Sequence, residues 1–163
     1  MDEANAAHSV APLAERSDSL LCRVRGRVCA LPLAHVVEIM RPLPIEILGG
    51  APAFVCGASV VRGRPIPVVD PGVLLGTTDP PAPTRFVTVR AGGRHVALAV
   101  ESVLGVRALT TDTVGDVPSL LRDAQADVVA AMGTLDAQLL LVLQTARLVP
   151  ESVWRTLERG EAG

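Results

Sequence analysis

Short stretches in which apolar and polar residues alternate run through the chain, and this period of two is typical of half-buried β-strands. The first stretch covers residues 20–24, and a second covers residues 28–33 after a turn at Gly26. Pro32 lies inside the second stretch and predicts an edge strand or a bulge, because proline cannot donate a ladder hydrogen bond. Residues 34–40 fit either a short helix or a bent strand. The pattern therefore predicts a mainly β chain.

An internal repeat organises these strands. Residues 27–39 align with residues 94–106, and residues 60–70 align with residues 134–144. Each copy has the pattern of a hairpin, a crossover and a second hairpin, and a Pro-rich link at 77–83 joins the copies. An open sheet of about five strands has two exposed edges, which closure into a small barrel removes. Closure also buries the inward side chains.

The sequence therefore predicts an all-β fold. It consists of two five-stranded, SH3/OB-like β-barrel subdomains packed around a shared hydrophobic core, with a short crossover helix and a C-terminal helix. The predicted parts are a flexible N-terminal tail at 1–18, barrel subdomain 1 at 19–83, barrel subdomain 2 at 84–149, and the C-terminal helix and tail at 150–163.

Two segments carry helical signals. Pro150 can open the C-terminal helix and Gly160 can close it, with an apolar pair one turn apart between them. Trp154, the only tryptophan, is expected to anchor this helix. The second repeat also has a polar insertion at 111–127, where a short helix is predicted at 119–124.

Composition narrows the core and the partners. Hydrophobic residues make up 49% and aromatics 2%, so the core is built from Val, Leu, Ile and Ala. The net charge of −2 gives no long-range attraction for a polyanion, so nucleic acid is not an expected partner.

The longest strongly apolar stretch, residues 139–143, is too short to enter and cross a bilayer. Three cysteines without a CxxC pair, and no signal-peptide pattern, predict reduced thiols in a cytoplasmic protein.

The sequence predicts no catalytic residue, no metal site and no cofactor site. The three histidines, His8, His35 and His95, lie in no HExxH motif or metal-spaced Cys/His cluster, and His35 with Glu38 one helical turn away would supply only two ligands. No nucleophile elbow and no phosphate-binding glycine motif is present. These features favour a binding module over an enzyme. A small-ligand-binding β-barrel, or an enzyme assembled from scattered residues, remains as an alternative from another class.

The most unusual surface feature is the Arg62-Gly63-Arg64 turn between two apolar strands. One interpretation is a solvated turn charge of little energetic value. The other is a polar anchor in a partner groove, a role for which the five donors of arginine are well suited.

Residues 51–70 resemble the CheW family of chemotaxis coupling proteins. They contain a Pro-x-Phe segment, then a match to the family's Gly-x-x-Asn-Leu-Arg-Gly turn, and then an apolar strand with prolines that ends in Asp70. Residues 97–106 resemble the second family landmark, which is usually Val-Asp-x-Val. The likeness extends over residues 20–149, and the order and separation of the two motifs make the combination specific.

The resemblance implies a non-catalytic adaptor with two five-stranded barrels. It implies docking to the regulatory domain of the histidine kinase CheA and to the cytoplasmic tip of a methyl-accepting chemoreceptor, in receptor arrays at the inner membrane. By position, the residues implied for receptor binding are Val36, Glu38, Arg62, Arg85, Phe86 and Val96. The resemblance assigns no kinase-binding residues here. For Val36, packing in the core is an equal alternative to receptor binding. Glu38 is interpreted as a solvated or Arg-paired carboxylate, and not as a receptor contact, unless Arg62 lies near it.

Several residues depart from the family pattern. Val60 stands where the family usually has Asn, Glu101 replaces Asp, Pro71 stands where Leu is usual, and Gln144 stands where the second repeat commonly ends in Asp. The Val60 side chain lacks an amide that could organise the turn. A second interpretation is therefore a divergent CheW-fold protein that binds only one of the two partners or modulates another adaptor.

Overall fold

The computed structural model of the chain describes residues 17–77, 82–110, 114–115, 129–136, 138–144 and 148–162. The predicted helix at 119–124 and residues 1–16 of the predicted tail lie outside these residues. Ser17 and Asp18, which the sequence assigned to the tail, instead begin the first strand. They do so because they pair with Leu109 and Ala108 of a later strand.

The described residues form short strands and two helices. The strands are β1 Ser17–Val24, β2 Arg27–Pro32, β3 Val36–Met40, β4 Val55–Val61, β5 Arg64–Val69, β6 Arg85–Ala91, β7 Arg94–Val100, β8 Ser102–Leu109, β9 Val114–Gly115, β10 Val129–Leu135 and β11 Gln138–Leu143. The helices are α1 Pro71–Leu74 and α2 Glu151–Ala162. The predicted crossover helix is reduced to a single 3-10 turn, Leu33–His35, which leads directly into β3.

The strands form two sheets, and each sheet draws strands from both copies of the repeat. One sheet has the order β8-β1-β2-β11-β10-β9 and the other has the order β3-β6-β7-β5-β4. The crossover strand of each copy pairs with the first hairpin of the other copy, β3 with β6 and β8 with β1. The boundary after residue 83 therefore separates the two copies in the sequence. In the fold, each copy places its crossover strand in the sheet that contains the first hairpin of the other copy.

The repeat is preserved residue for residue in the strand pairing. In the sequence alignment Ala30 corresponds to Ala97, and Val68 corresponds to Val142. β5 runs parallel to β7 with Val68 opposite Ala97, and β11 runs parallel to β2 with Val142 opposite Ala30. The two sheets are therefore related by the same internal repeat that the sequence predicted.

Backbone ladders close neither predicted barrel within the described residues, because one sheet ends at β8 and β9 and the other at β3 and β4. Within the described residues, no backbone ladder joins β3 to β4 in the five-stranded sheet. The edge of β4 is instead covered by Glu46, whose backbone exchanges two hydrogen bonds of 2.8 Å with Ala58. Side chains still fill the inside of this sheet, where Phe86 packs with residues of both edge strands. The all-β fold of two packed units is confirmed.

A shared hydrophobic core lies between the two sheets, as the sequence predicted. The six-stranded sheet contributes residues such as Leu20 and Leu31, and the five-stranded sheet contributes residues such as Val87 and Leu98. Each sheet also encloses one smaller cluster of its own. The five-stranded sheet encloses the cluster around Phe86, and the six-stranded sheet encloses the cluster around Leu140. The C-terminal helix α2 adds to the shared core and continues through Gly160, where the sequence predicted its end.

Replacing Leu98 with alanine is expected to lower the free energy of unfolding by about 2–5 kcal/mol, because the substitution leaves a cavity in the shared core. Leu98 is 0% exposed, whereas Leu104 on β8 is 46% exposed. Leu104→Ala is therefore a matched control, with an expected change within about 0.5 kcal/mol. Equilibrium urea denaturation measures both changes, and equal midpoints for the two variants would contradict the core placement of Leu98.

Candidate functional site

Arg62 is held at the tip of the β4–β5 hairpin by a tight turn. Arg62 and Gly63 have φ of +51° and +80°, a pair of left-handed conformations typical of a two-residue hairpin turn. The guanidinium binds the Glu38 carboxylate of β3 with Nε–Oε2 at 2.9 Å and Nη2–Oε2 at 2.8 Å. Since β3 and β4 are opposite edges of the sheet, this ion pair bridges the seam that no backbone ladder closes.

A groove of about 230 Å³ opens beside this ion pair. Its walls and floor include Val37, Glu38, Val61, Arg62, Thr88 and His95. The Glu38 backbone is fixed from below, because its N–H donates to Thr88 Oγ1 at 3.1 Å. The Arg62 side chain is 76% exposed and that of Glu38 is 29% exposed. An exposed pair of this kind contributes only about 0.2–1 kcal/mol to folding, so a partner can share or replace it at little cost to stability.

The structure brings together part of the predicted receptor-binding set. Glu38 and Arg62 are in direct contact, and the receptor-binding role of this pair stays a prediction. Val36 is half-buried and packs against the shared core. Arg85 is exposed at the start of β6, three residues from Thr88, or about 10 Å along the strand.

Phe86 and Val96 are placed away from the surface. Both side chains are 0% exposed. Phe86 points into the inside of the five-stranded sheet, and Val96 points into the shared core between the sheets. A direct contact from either side chain to a partner does not fit this placement. They support the groove from behind.

A buried polar cluster joins the two sheets, and the sequence analysis did not single out its central residue. Arg25, in the β1–β2 turn, forms an ion pair with Asp70 at the end of β5, and the two side chains are 8% and 4% exposed. The backbone N–H of Arg25 donates to the Glu101 carboxylate. Asp70 and Glu101 are the two acidic landmarks of the family motifs, so both converge on one arginine. The signal in the sequence was the Arg25-Gly26 turn, which repeats the Arg62-Gly63 turn.

The second repeat carries a counterpart of the Arg62 site with its charges reversed. Asp136 occupies the hairpin-tip position that corresponds to Arg62, and it pairs with Arg107 of β8 at 3.3 Å. The surrounding surface includes exposed apolar side chains, namely Leu104, Val106 and Leu139. The β4–β5 and β10–β11 hairpin tips therefore each form an exposed ion pair, with an arginine at the first tip and an aspartate at the second.

The three cysteines are free, and two of them are buried. Burial raises the pKa of Cys22 and of Cys29 to about 12, so both are neutral thiols at physiological pH. Among the described residues, no group of three or more His, Cys, Asp or Glu side chains is placed to hold a metal ion. In the same part of the chain, no helix has the length and apolar character needed to cross a membrane.

Comparison with known proteins gives consistent matches. The family model of the CheW-like domain matches residues 18–153. A curated protein named probable chemotaxis protein CheW, from Rhizobium etli, is 20% identical over 132 residues, which are 80% of this chain and 85% of that protein. The crystal structure of the scaffolding protein TtCheW from Thermoanaerobacter tengcongensis matches with a TM-score of 0.68 at 18% identity, over 78% of this chain and 88% of that chain.

These matches, with the two exchanged sheets, define an all-β protein of the CheW-like fold. The chain belongs to the CheW-like domain family. The resemblance on which the sequence analysis relied is thereby confirmed, as is the all-β fold that it implied.

Proposed function

We propose that the protein is a non-catalytic adaptor that couples methyl-accepting chemoreceptors to a CheA-type histidine kinase in the cytoplasm, within arrays at the inner membrane. The observation that carries the proposal is the exposed Arg62–Glu38 pair beside the groove. An arginine whose donors are fixed by a carboxylate, next to an apolar floor, is a suitable anchor for a protein partner. Family membership supports the choice of partners.

In this proposal the receptor tip binds at Val36, Glu38, Arg62 and Arg85. Glu38 orients the Arg62 guanidinium, and Val61 and Thr88 form the floor between them. Phe86 and Val96 hold β6 and β7 in position as buried residues.

Arg62→Ala is expected to weaken binding of a receptor-tip fragment by about tenfold or more, which corresponds to about 1.4 kcal/mol or more. The fold is expected to persist, because the lost ion pair is exposed. Isothermal titration calorimetry measures the affinity, and circular dichroism confirms folding. Arg107→Ala is the matched control, since it removes the corresponding exposed pair of the second repeat. Unchanged affinity of a folded Arg62→Ala variant would overturn the receptor site.

Val60 favours a second candidate function, that of an adaptor specialised for one partner. Its side chain is 64% exposed on the edge strand β4, where the family usually has an amide. Titrating the protein separately with a CheA regulatory domain and with a receptor-tip fragment from the same cell separates the two candidates. Binding to both supports the coupling adaptor, and binding to one supports the specialised adaptor. Binding to neither would overturn both.

A further inference from the structure

The groove beside Arg62 does not end at the β6–β7 hairpin. A second groove of about 200 Å³ continues from it towards the C-terminal helix. Arg64, Ile66 and His95 line both grooves, so the two form one surface. Trp154 and Leu157 of α2 line the far end. We name the whole surface, from Glu38 to Trp154, the long groove.

The charges along the long groove are unevenly compensated. At one end Glu38 binds Arg62. At the other end Arg94 binds Glu151 and Glu158 at 3.1 and 3.3 Å, and its guanidinium lies over the Trp154 ring at 4.8 Å from the ring centre.

Arg94 is therefore already engaged at its end of the groove. Its guanidinium holds the pKa of the Glu151 carboxyl below its usual range, which fits this pairing.

Arg64 lies between these two groups of ion pairs. It is exposed, and it takes part in none of the ion pairs between residues whose side chains the structure describes. On its two sides the groove offers apolar contacts, with exposed Val37 beside Glu38 and half-buried Trp154 at the far end. A partner that fills this surface must place an acidic group at the middle and apolar groups on either side.

We propose that the receptor tip occupies the whole long groove, with a carboxylate bound to Arg64 and an apolar side chain packed against Trp154. This inference rests on the proposed function and specifies the partner's chemistry, an apolar–acidic–apolar segment. Charge complementarity favours it, because an arginine without a counter-charge gains a charge-assisted hydrogen bond on binding. A partner that stopped at Arg62 would leave Arg64 exposed and Trp154 only half-buried.

The test is a charge reversal with a matched control. Arg64→Glu is expected to weaken binding of the receptor-tip fragment at least tenfold, with a smaller salt dependence than the parent protein. Arg41→Glu reverses the charge of another exposed arginine that lines neither groove, and we expect its affinity to stay within twofold of the parent. Acidic residues of the fragment are then replaced by lysine one at a time. One of these replacements is expected to restore binding to Arg64→Glu.

The possible outcomes separate this inference from the proposed function. If the parent protein does not bind the fragment, both are overturned. If Arg62→Ala weakens binding while Arg64→Glu binds like the parent protein, the receptor site stands and the long groove is overturned. If Arg64→Glu weakens binding but no lysine replacement restores it, the carboxylate contact is overturned. Loss and rescue together support the long groove.

Discussion

Replacing Asp70 with alanine is expected to lower the free energy of unfolding by about 3–5 kcal/mol. The Asp70 carboxylate is the counter-charge of Arg25, and both side chains are buried where the two sheets meet. Without it, the guanidinium remains in the interior with no carboxylate bound to it, since Glu101 binds only the Arg25 backbone N–H. The substitution also removes the Oδ1 acceptor that caps α1 through the Gly72 N–H at 3.0 Å. Chemical denaturation followed by far-ultraviolet circular dichroism measures the loss.

The chain offers a control that removes the same kind of pair at the surface. Asp136→Ala breaks the exposed Arg107–Asp136 pair, and its expected cost is at most about 1 kcal/mol. Equal losses for Asp70→Ala and Asp136→Ala would contradict the importance of burial. Combining Arg25→Met with Asp70→Leu removes both buried charges, and this double variant is expected to recover most of the loss.

The Arg25–Asp70 pair also illustrates what the sequence could not predict. Hairpins follow from local alternation and from the Arg-Gly turns, so the repeat and the pairs within its hairpins were predictable. The contact between Arg25 and Asp70 joins residues 45 positions apart in different sheets. An arginine in a turn is usually a solvated charge, and only the packing of the two sheets buries this one.

The exchange of crossover strands could not be predicted either, because it also depends on contacts between residues that are far apart in the sequence. The sequence shows that β3 and β8 are equivalent, but both could pair within their own copy or with the other copy. Pairing of β3 with β6 places Val36 opposite Val89, both facing apolar neighbours in the shared core. Such pairing depends on burial across the whole molecule, which local patterns do not encode.

The candidate site was predictable in its outline and less so in its detail. The turn residue Arg62 and the crossover residue Glu38 were both singled out, and they form one ion pair. Phe86 and Val96 were assigned to the same set by position alone, and a residue's place in a motif does not determine which face of a strand it occupies. Arg64, in the same turn as Arg62, is placed at the junction of two grooves only by the docking of α2.

Replacing Gly57 with alanine is expected to lower the free energy of unfolding by about 2–6 kcal/mol, from about 1–3 kcal/mol of backbone strain and a similar cost of overpacking. Gly57 follows a bulge in β4 and has a φ of +145°. A Cβ atom there would lie 2.0 Å from the Glu46 backbone oxygen. That oxygen accepts the hydrogen bond from Ala58 N–H, so the added methyl group would push Glu46 away from the edge of β4.

Gly105→Ala is the control that separates strain from steric clash. Gly105 also follows a bulge, in β8, and has a φ of +121°, but nothing lies within 4 Å of its Cβ position. Its substitution is therefore expected to cost only the strain, about 1–3 kcal/mol. Hydrogen exchange at the Glu46 and Ala58 amides is expected to accelerate in Gly57→Ala alone. If both variants lose the same stability and those amides stay protected, Glu46 does not cover the edge of β4, and that edge is open to a partner strand.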